Sequence, residues 1–188
     1  SPERFTDSGA EIVPMVDGSY RALAETAFSR YTRIGQDQNL GWKIEDRNGA
    51  VHELGQSADA RVANPVDPAR IHEWLIERTL DPSGNAITYR YTQDTGMTYL
   101  AEVRYAIYAV RLDYEARPDV RSDARMGFVR QRALRCKRLA LFLDPGTPNE
   151  RLIRSWDVRY ERDALSGLSL LTSVRMTSHG AAQDGSQD

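Results

Sequence analysis

The sequence predicts a mainly β protein of antiparallel hairpins, arranged as a sandwich-like or shell-like sheet assembly with at most two short helices. Three observations predict it. Apolar and polar residues alternate through most of the chain, the period-2 pattern of half-buried strands. Turn chemistry recurs between the alternating runs, at Asn48-Gly49, Asp81-Pro-Ser-Gly-Asn85 and Asp144-Pro-Gly-Thr-Pro148. Strands do not alternate with long helical segments, which argues against a doubly wound parallel sheet.

The elements follow in order. Residues 1–10 are polar and read as a flexible start, residues 11–178 as one β-rich domain, and residues 179–188 as a disordered tail of small polar residues. Tyr20, Leu23, Ala24, Ala27, Tyr31 and Ile34 fall at helical spacing and predict a short helix packed on a sheet. Trp42 and Ile44, then Val51 and Leu54, flank Asn48-Gly49; Asn-Gly readily takes two positive φ angles and is the strongest hairpin signal in the chain. Trp74, Ile76 and Leu80 lead into the turn at 81–85, and Ile87, Tyr89 and Tyr91 leave it, a second hairpin on the same strand–polar turn–strand plan. Tyr99, Ala101, Val103, Tyr105 and Ile107 share a face. At Tyr108 the phase flips, which predicts a β-bulge or a very tight link between two strands. Residues 119–132 are charged, interrupted by Gly127, and read either way. Leu139, Leu141 and Leu143, then Trp156, Val158 and Tyr160, then Leu168, Leu170, Thr172, Val174 and Met176 make the last three strands.

Composition narrows the function. Of 188 residues 40% are hydrophobic, enough for a real core. No apolar run approaches the roughly 18–20 residues of a membrane span. With 25 basic against 27 acidic residues, nothing supports general nucleic-acid binding. The only cysteine, Cys136, excludes an internal disulfide. Beside Arg135, Lys137 and Arg138 it reads as an activated thiol or, more in keeping with cysteine usage, as a half-buried strand residue. No signal peptide is visible, and a start at Ser-Pro without Met points to an excised fragment.

Catalytic chemistry finds little footing. His52, His72 and His179 have no partner at metal-ligand spacing, and no phosphate-binding glycine loop or nucleophile elbow occurs, so no metal and no cofactor is expected. The densest polar cluster is Asp113-Tyr-Glu-Ala-Arg-Pro-Asp119. Asp113 and Glu115 would share a strand face about 7 Å apart, a pair able to serve a glycosidase or a cation site, or simply to pair with Arg111, Arg117 and Arg121. Tyr89, Tyr91, Tyr99 and Tyr105 could line a sugar-binding face or pack across strands. The candidate binding residues are therefore Tyr89, Tyr91, Asp113 and Glu115.

Much of the chain resembles one family. Trp42-Lys-Ile-Glu-Asp-Arg-Asn-Gly49 is similar to its opening motif. Trp74-Leu-Ile-Glu-Arg-Thr-Leu-Asp81 followed by Gly84-Asn85 and the Tyr89/Tyr91 pair resembles its core signature. Tyr99-Leu100 with Tyr105, then Tyr114-Glu115-Ala-Arg117-Pro-Asp119, then Gly127-Phe128, follow in the family's order and spacing; at Arg135-Cys136 a cysteine replaces a leucine. The family is the N-terminal region of Salmonella virulence plasmid B proteins, shared with the B components of insecticidal toxin complexes. The resemblance implies a secreted bacterial protein and a non-catalytic module beside a propeller and RHS-type repeats. With a C-type component these form a shell enclosing a toxic effector. It also implies that the isolated piece exposes sheet edges and self-associates through them. A longer turn that family members carry near Ile107–Tyr108 is missing here. The family's ADP-ribosyltransferase lies in a separate C-terminal domain, and nothing here resembles it. The alternative reading is a secreted carbohydrate-binding or adhesion module of an RHS-type protein.

Overall fold

Among the described residues strand follows strand, and local side chains pin several of the turns between them. The computed structural model describes residues 4–25, 27–35 and 41–180 and divides into two compact units, Ser1–Arg90 and Tyr91–Asp188. Every strand pairing within them is antiparallel. Helix is limited, among the described residues, to one 3-10 turn at Ala58–Ala60, so no helix there could cross a membrane.

The first unit holds β1 (Phe5–Asp7), β2 (Ala10–Pro14), β3 (Tyr20–Ala22), β4 (Arg30–Ile34), β5 (Gly41–Glu45), β6 (Val51–Leu54), β7 (Arg61–Ala63), β8 (Ile71–Trp74), β9 (Ile76–Leu80) and the start of β10 (Ala86–Asp94). The ladder runs β1-β2-β3-β4-β5-β6-β9-β10, while β7 and β8 pair separately. The run 74–80 therefore serves two sheets. It changes allegiance at Leu75, whose carbonyl accepts from Gly55 N and whose N–H donates to the Ala60 carbonyl. The core is aromatic. Ile12, Tyr31 and Trp42 are buried, with Phe5, Tyr20, Ile44, Leu54 and Trp74 packed against them.

Both expected hairpins form, on one turn design. In Asp46–Ala50 and Asp81–Asn85 the leading Asp N–H donates to the last carbonyl at 3.0 Å in each, and its own carbonyl accepts from the glycine, Gly49 or Gly84. The Asp carboxylate accepts from the third and fifth N–H groups. Gly49 and Gly84 sit at φ +84° and +86°. Asn48 does not share the left-handed region, so this is a wider Asp-anchored loop and not the two-residue Asn-Gly turn the dipeptide suggests.

Two expectations are overturned here. The helix expected over Tyr20–Ile34 does not form among the described residues: Tyr20 pairs across β3–β4 with Tyr31, and Leu23 and Phe28, between those strands, are 65% and 59% exposed. Pairing on both sides outweighs a weak local helix preference. The start, expected to be loose, forms a strand over Phe5–Asp7, because Phe5 packs edge-on against Tyr20, Trp42 and Trp74 and its strand pairs with β2.

The second unit continues β10 and adds β11 (Met97–Tyr105), β12 (Tyr108–Asp123), β13 (Arg130–Leu143), β14 (Arg151–Arg162) and β15 (Ser169–Ser178), each hydrogen-bonded to the next from β11 onward. The phase flip is the tight link: Tyr105 pairs with Tyr108 around Ala106 and Ile107. A bulge lies elsewhere, at Thr172, which is skipped when Ser173 pairs with Arg159 and Leu171 with Tyr160. It moves Leu171, Val174 and Met176 onto the face of Tyr160, Val158 and Trp156, breaking the even-numbered apolar run the spacing predicts over Leu168–Met176. His179, expected in the tail, is held by two contacts. His179 donates its N–H to the Ile153 carbonyl, and its Nε2 lies 2.9 Å from Ser155 Oγ; residues 181–188 lie outside the described residues.

Register sorts this unit into rows. Leu112, Leu139, Trp156 and Met176 stand opposite one another across four strands, and so do Asp113, Arg138, Asp157 and Arg175, alternating in sign. The core is thin. Its buried apolar residues are Tyr99, Ala109, Phe128 and Ala140, and the leucines and Trp156 of the apolar row are only half-buried.

Candidate functional site

The residues with chemical capacity are held in compact networks. In the first unit Trp42, 5% exposed, stands edge-on to Phe5, Tyr20 and Trp74 at centroid distances of 5.0, 5.2 and 6.1 Å. The guanidinium of Arg33 lies 4.7 Å from the Trp42 centroid and 5.2 Å from both Phe5 and Trp74. Three negative ring faces around one cation favour its burial. Arg61, also buried, donates Nε to the Gly55 carbonyl and Nη2 to the Gln56 carbonyl, fixing the bend after β6. Two glycines unmarked by sequence reasoning complete this packing. A Cβ on Gly55 would overlap the Trp74 ring, and one on Gly41 would overlap the Leu54 carbonyl. A tryptophan close to a glycine in sequence is too common a pattern to have flagged either.

In the second unit the Tyr114–Asp119 motif is a latch. The Tyr114 hydroxyl donates to the Leu100 carbonyl at 2.7 Å, and its ring lies 5.2 Å from Tyr99; burial pushes its pKa up to about 12. Tyr99 Oη accepts from Leu134 N. Glu115 accepts from Arg135 Nε at 2.7 Å, Arg135 donates onward to Ser169 Oγ, and its guanidinium stacks 4.5 Å from the Tyr160 centroid. Asp119 accepts from Arg117 at 3.1 and 2.8 Å and from both Ser169 N and Ser169 Oγ. The Arg117 side chain, with Ser169, holds the Asp119 carboxyl well below the usual carboxylate range. β12 is thereby tied to the start of β15, fifty residues away in sequence.

A second network is built on Arg111. It donates to Glu102 at 2.9 Å, grips Glu150 through two bonds of 2.7 and 2.8 Å, and lies over the Phe142 ring at 4.4 Å. Arg111 chiefly, with Gly146 N, lowers Glu150 to about 2. Arg104 also donates to Glu102.

The arginine assignments of the acidic cluster therefore change. Arg111 serves Glu102 and Glu150, Arg117 serves Asp119, and Arg121 stands opposite Arg132. Asp113 is exposed and faces Arg138, with a bulge at Lys137 between that pair and the Glu115–Arg135 pair. The Asp119 and Glu150 carboxylates, gripped by arginine, are held ionised, the opposite of what a general acid needs. Of the tyrosines, Tyr89 and Tyr91 are half-buried, Tyr99 is buried with its hydroxyl engaged, and Tyr105 is exposed beside its turn. Burial pushes the Cys136 thiol up, which disfavours the thiolate. Ser155 and His179 form a serine–histidine contact, but Ser155 is 1% exposed, out of reach of a substrate. Among the described residues no group of three His, Cys, Asp or Glu converges as a metal site.

The motif residues thus form frames of packing and ion pairing. A sequence model described as "Salmonella virulence plasmid 65kDa B protein" matches residues 11–109. The chain belongs to that family. The virulence plasmid B family also supplies its relatives. The mono(ADP-ribosyl)transferases SpvB of Salmonella typhimurium and Salmonella choleraesuis are each 31% identical, over 46% of this chain and 18% of theirs. The chain therefore spans about a fifth of the length of the curated relatives it matches. Among solved structures, the N-terminal domain of effector protein SpvB from Salmonella typhimurium strain LT2 superposes with a TM-score of 0.80, at 19% identity over 93% of this chain and 82% of that one. The TcdB2-TccC3 crystal structure gives 0.76, at 20% identity over 98% of this chain and 12% of that one. The Photorhabdus luminescens Tc holotoxin pore gives 0.72, at 20% identity over 94% and 11%. These likenesses establish the fold as one that virulence and toxin-complex proteins share.

Proposed function

We propose that this chain is a non-catalytic structural module of a secreted bacterial toxin-complex B-type protein. With the parent's propeller and RHS-type repeats and a C-type component, it helps form the shell that encloses or delivers a toxic effector. The observation that carries the reading is the second unit's sheet. Its apolar row is half-exposed, and β15 offers a free outer edge among the described strands, with Leu170, Leu171, Val174 and Met176 each at least 50% exposed. A self-sufficient domain buries such a row; a wall segment leaves it for neighbours. Residues 11–178 act as one module in this role, and Trp42, Trp74, Tyr114, Glu115, Arg117 and Asp119 act as its frame.

The test is to delete residues 11–178 from the parent protein and measure co-purification with its C-type component alongside the enzymatic activity of the effector. Lost assembly with retained effector activity supports the reading. Unchanged assembly refutes it.

A further inference from the structure

One feature of the second unit is unexplained by a wall. Near the far end of the β12–β13 hairpin, Arg121 stands directly opposite Arg132. Like charges in that relation destabilise an antiparallel pair, where an opposite-charge pair would support it. Both side chains are exposed, and among the described residues neither makes a hydrogen bond or ion pair. Arg125 and Arg130, by contrast, share Asp123. Residues 120–132 carry four arginines against one aspartate, a net charge of +3 in a chain whose net charge is −2.

The tip is held in place. The Gly127 N–H donates to the Ala124 carbonyl, the neighbouring Phe128 is buried, and the Gln131 N–H donates to the Thr95 carbonyl at 3.0 Å while the Thr95 hydroxyl donates to the Gln131 carbonyl at 2.9 Å. Two charged forks are therefore presented on a fixed hairpin, with Val120 and Val129, 50% and 60% exposed, beside them.

We propose that the Arg121–Arg132 pair is a docking surface for an acidic segment of a protein partner. Cross-strand neighbours stand about 5 Å apart at Cβ, and alternate side chains of an extended segment about 7 Å apart, a span that two long arginine stems cover. The planar guanidinium matches a carboxylate through two parallel bonds. Arginine beside exposed apolar residues is the composition of protein interfaces. A nucleic acid is less well served: the tip's only aromatic ring, Phe128, is buried and unavailable for stacking, and the chain as a whole is acidic. The proposal is independent of the shell reading.

The test uses the full chain and a fluorescein-labelled eight-residue peptide of alternating Glu and Ser, read by anisotropy at low and high salt, with single-stranded DNA as competitor. Wild type binds the peptide, and salt weakens the binding. Arg132→Glu lowers affinity at least tenfold, yet raises Tm by about 2 °C, because an opposite-charge pair replaces a repulsive one. A merely structural Arg132 predicts the reverse, lower Tm and unchanged binding, which would overturn the proposal. So would absence of peptide binding, or binding of DNA tighter than that of the peptide.

Discussion

Gly55 holds a φ of +64° with the Trp74 ring against its α-carbon, whereas Gly84 holds +86° with nothing near the place of a Cβ. The two separate backbone strain from close packing. Gly84→Ala is expected to cost about 1 kcal/mol, conformational strain alone. Gly55→Ala should cost about 3 kcal/mol, because Trp74 must also shift within the Phe5–Trp42–Arg33 cluster. Urea denaturation of both variants checks the order. Side-chain charge adds a pH dependence. Glu150, lowered to about 2 by Arg111, has a folded pKa below its ordinary 4.5. Its stabilisation is therefore complete above pH 4.5 and is lost as the pH falls toward 2. Glu150→Gln should flatten that part of a Tm-against-pH curve while lowering Tm at neutral pH. None of these pairings could be read from the sequence, since Arg111 meets Glu150 across 39 positions and Asp119 meets Ser169 across 50. Composition shows that partners exist, not which residues they are.

At the scale of elements, the most legible parts were those whose cause is local. The turns at Asp46–Ala50 and Asp81–Asn85 are made by their own Asp and Gly residues, so both hairpins were visible in advance. The apparent helix from Tyr20 to Ile34 failed because its apolar spacing fitted a 3.6 period while its partners, Ile12 with Ala22 and Tyr31 with Ile44, lay outside the window. The bulge at Thr172 was equally invisible, since alternation in β15 looks regular until β14 sets the register. The latch on β12 yields a prediction at this scale. Ser169→Ala removes one hydroxyl that binds both Asp119 and Arg135. Hydrogen exchange should quicken in residues 169–171 while residues 174–177, paired to β14 beyond the bulge, keep their protection.

For the whole molecule, the fold class was legible because alternation covers most of the chain, and the family because its Trp, Asp, Gly-Asn and Tyr motifs keep their order. The division into two units was not, since the change falls inside β10 between Arg90 and Tyr91 without any break in strand character. In the wall role proposed for this chain, β15 is the edge left for a neighbour. β15 is ten residues long, carries Arg175 as its only charged residue, and pairs on one side with β14 alone among the described strands; an edge with so little protection invites pairing. Sedimentation velocity of the chain over a rising concentration series, beside a Val174→Lys variant, probes that edge. Growing dimers and larger species are expected for the wild type and a monomer for the variant, whereas a clean wild-type monomer at the highest concentration would show that β15 is not an open pairing edge.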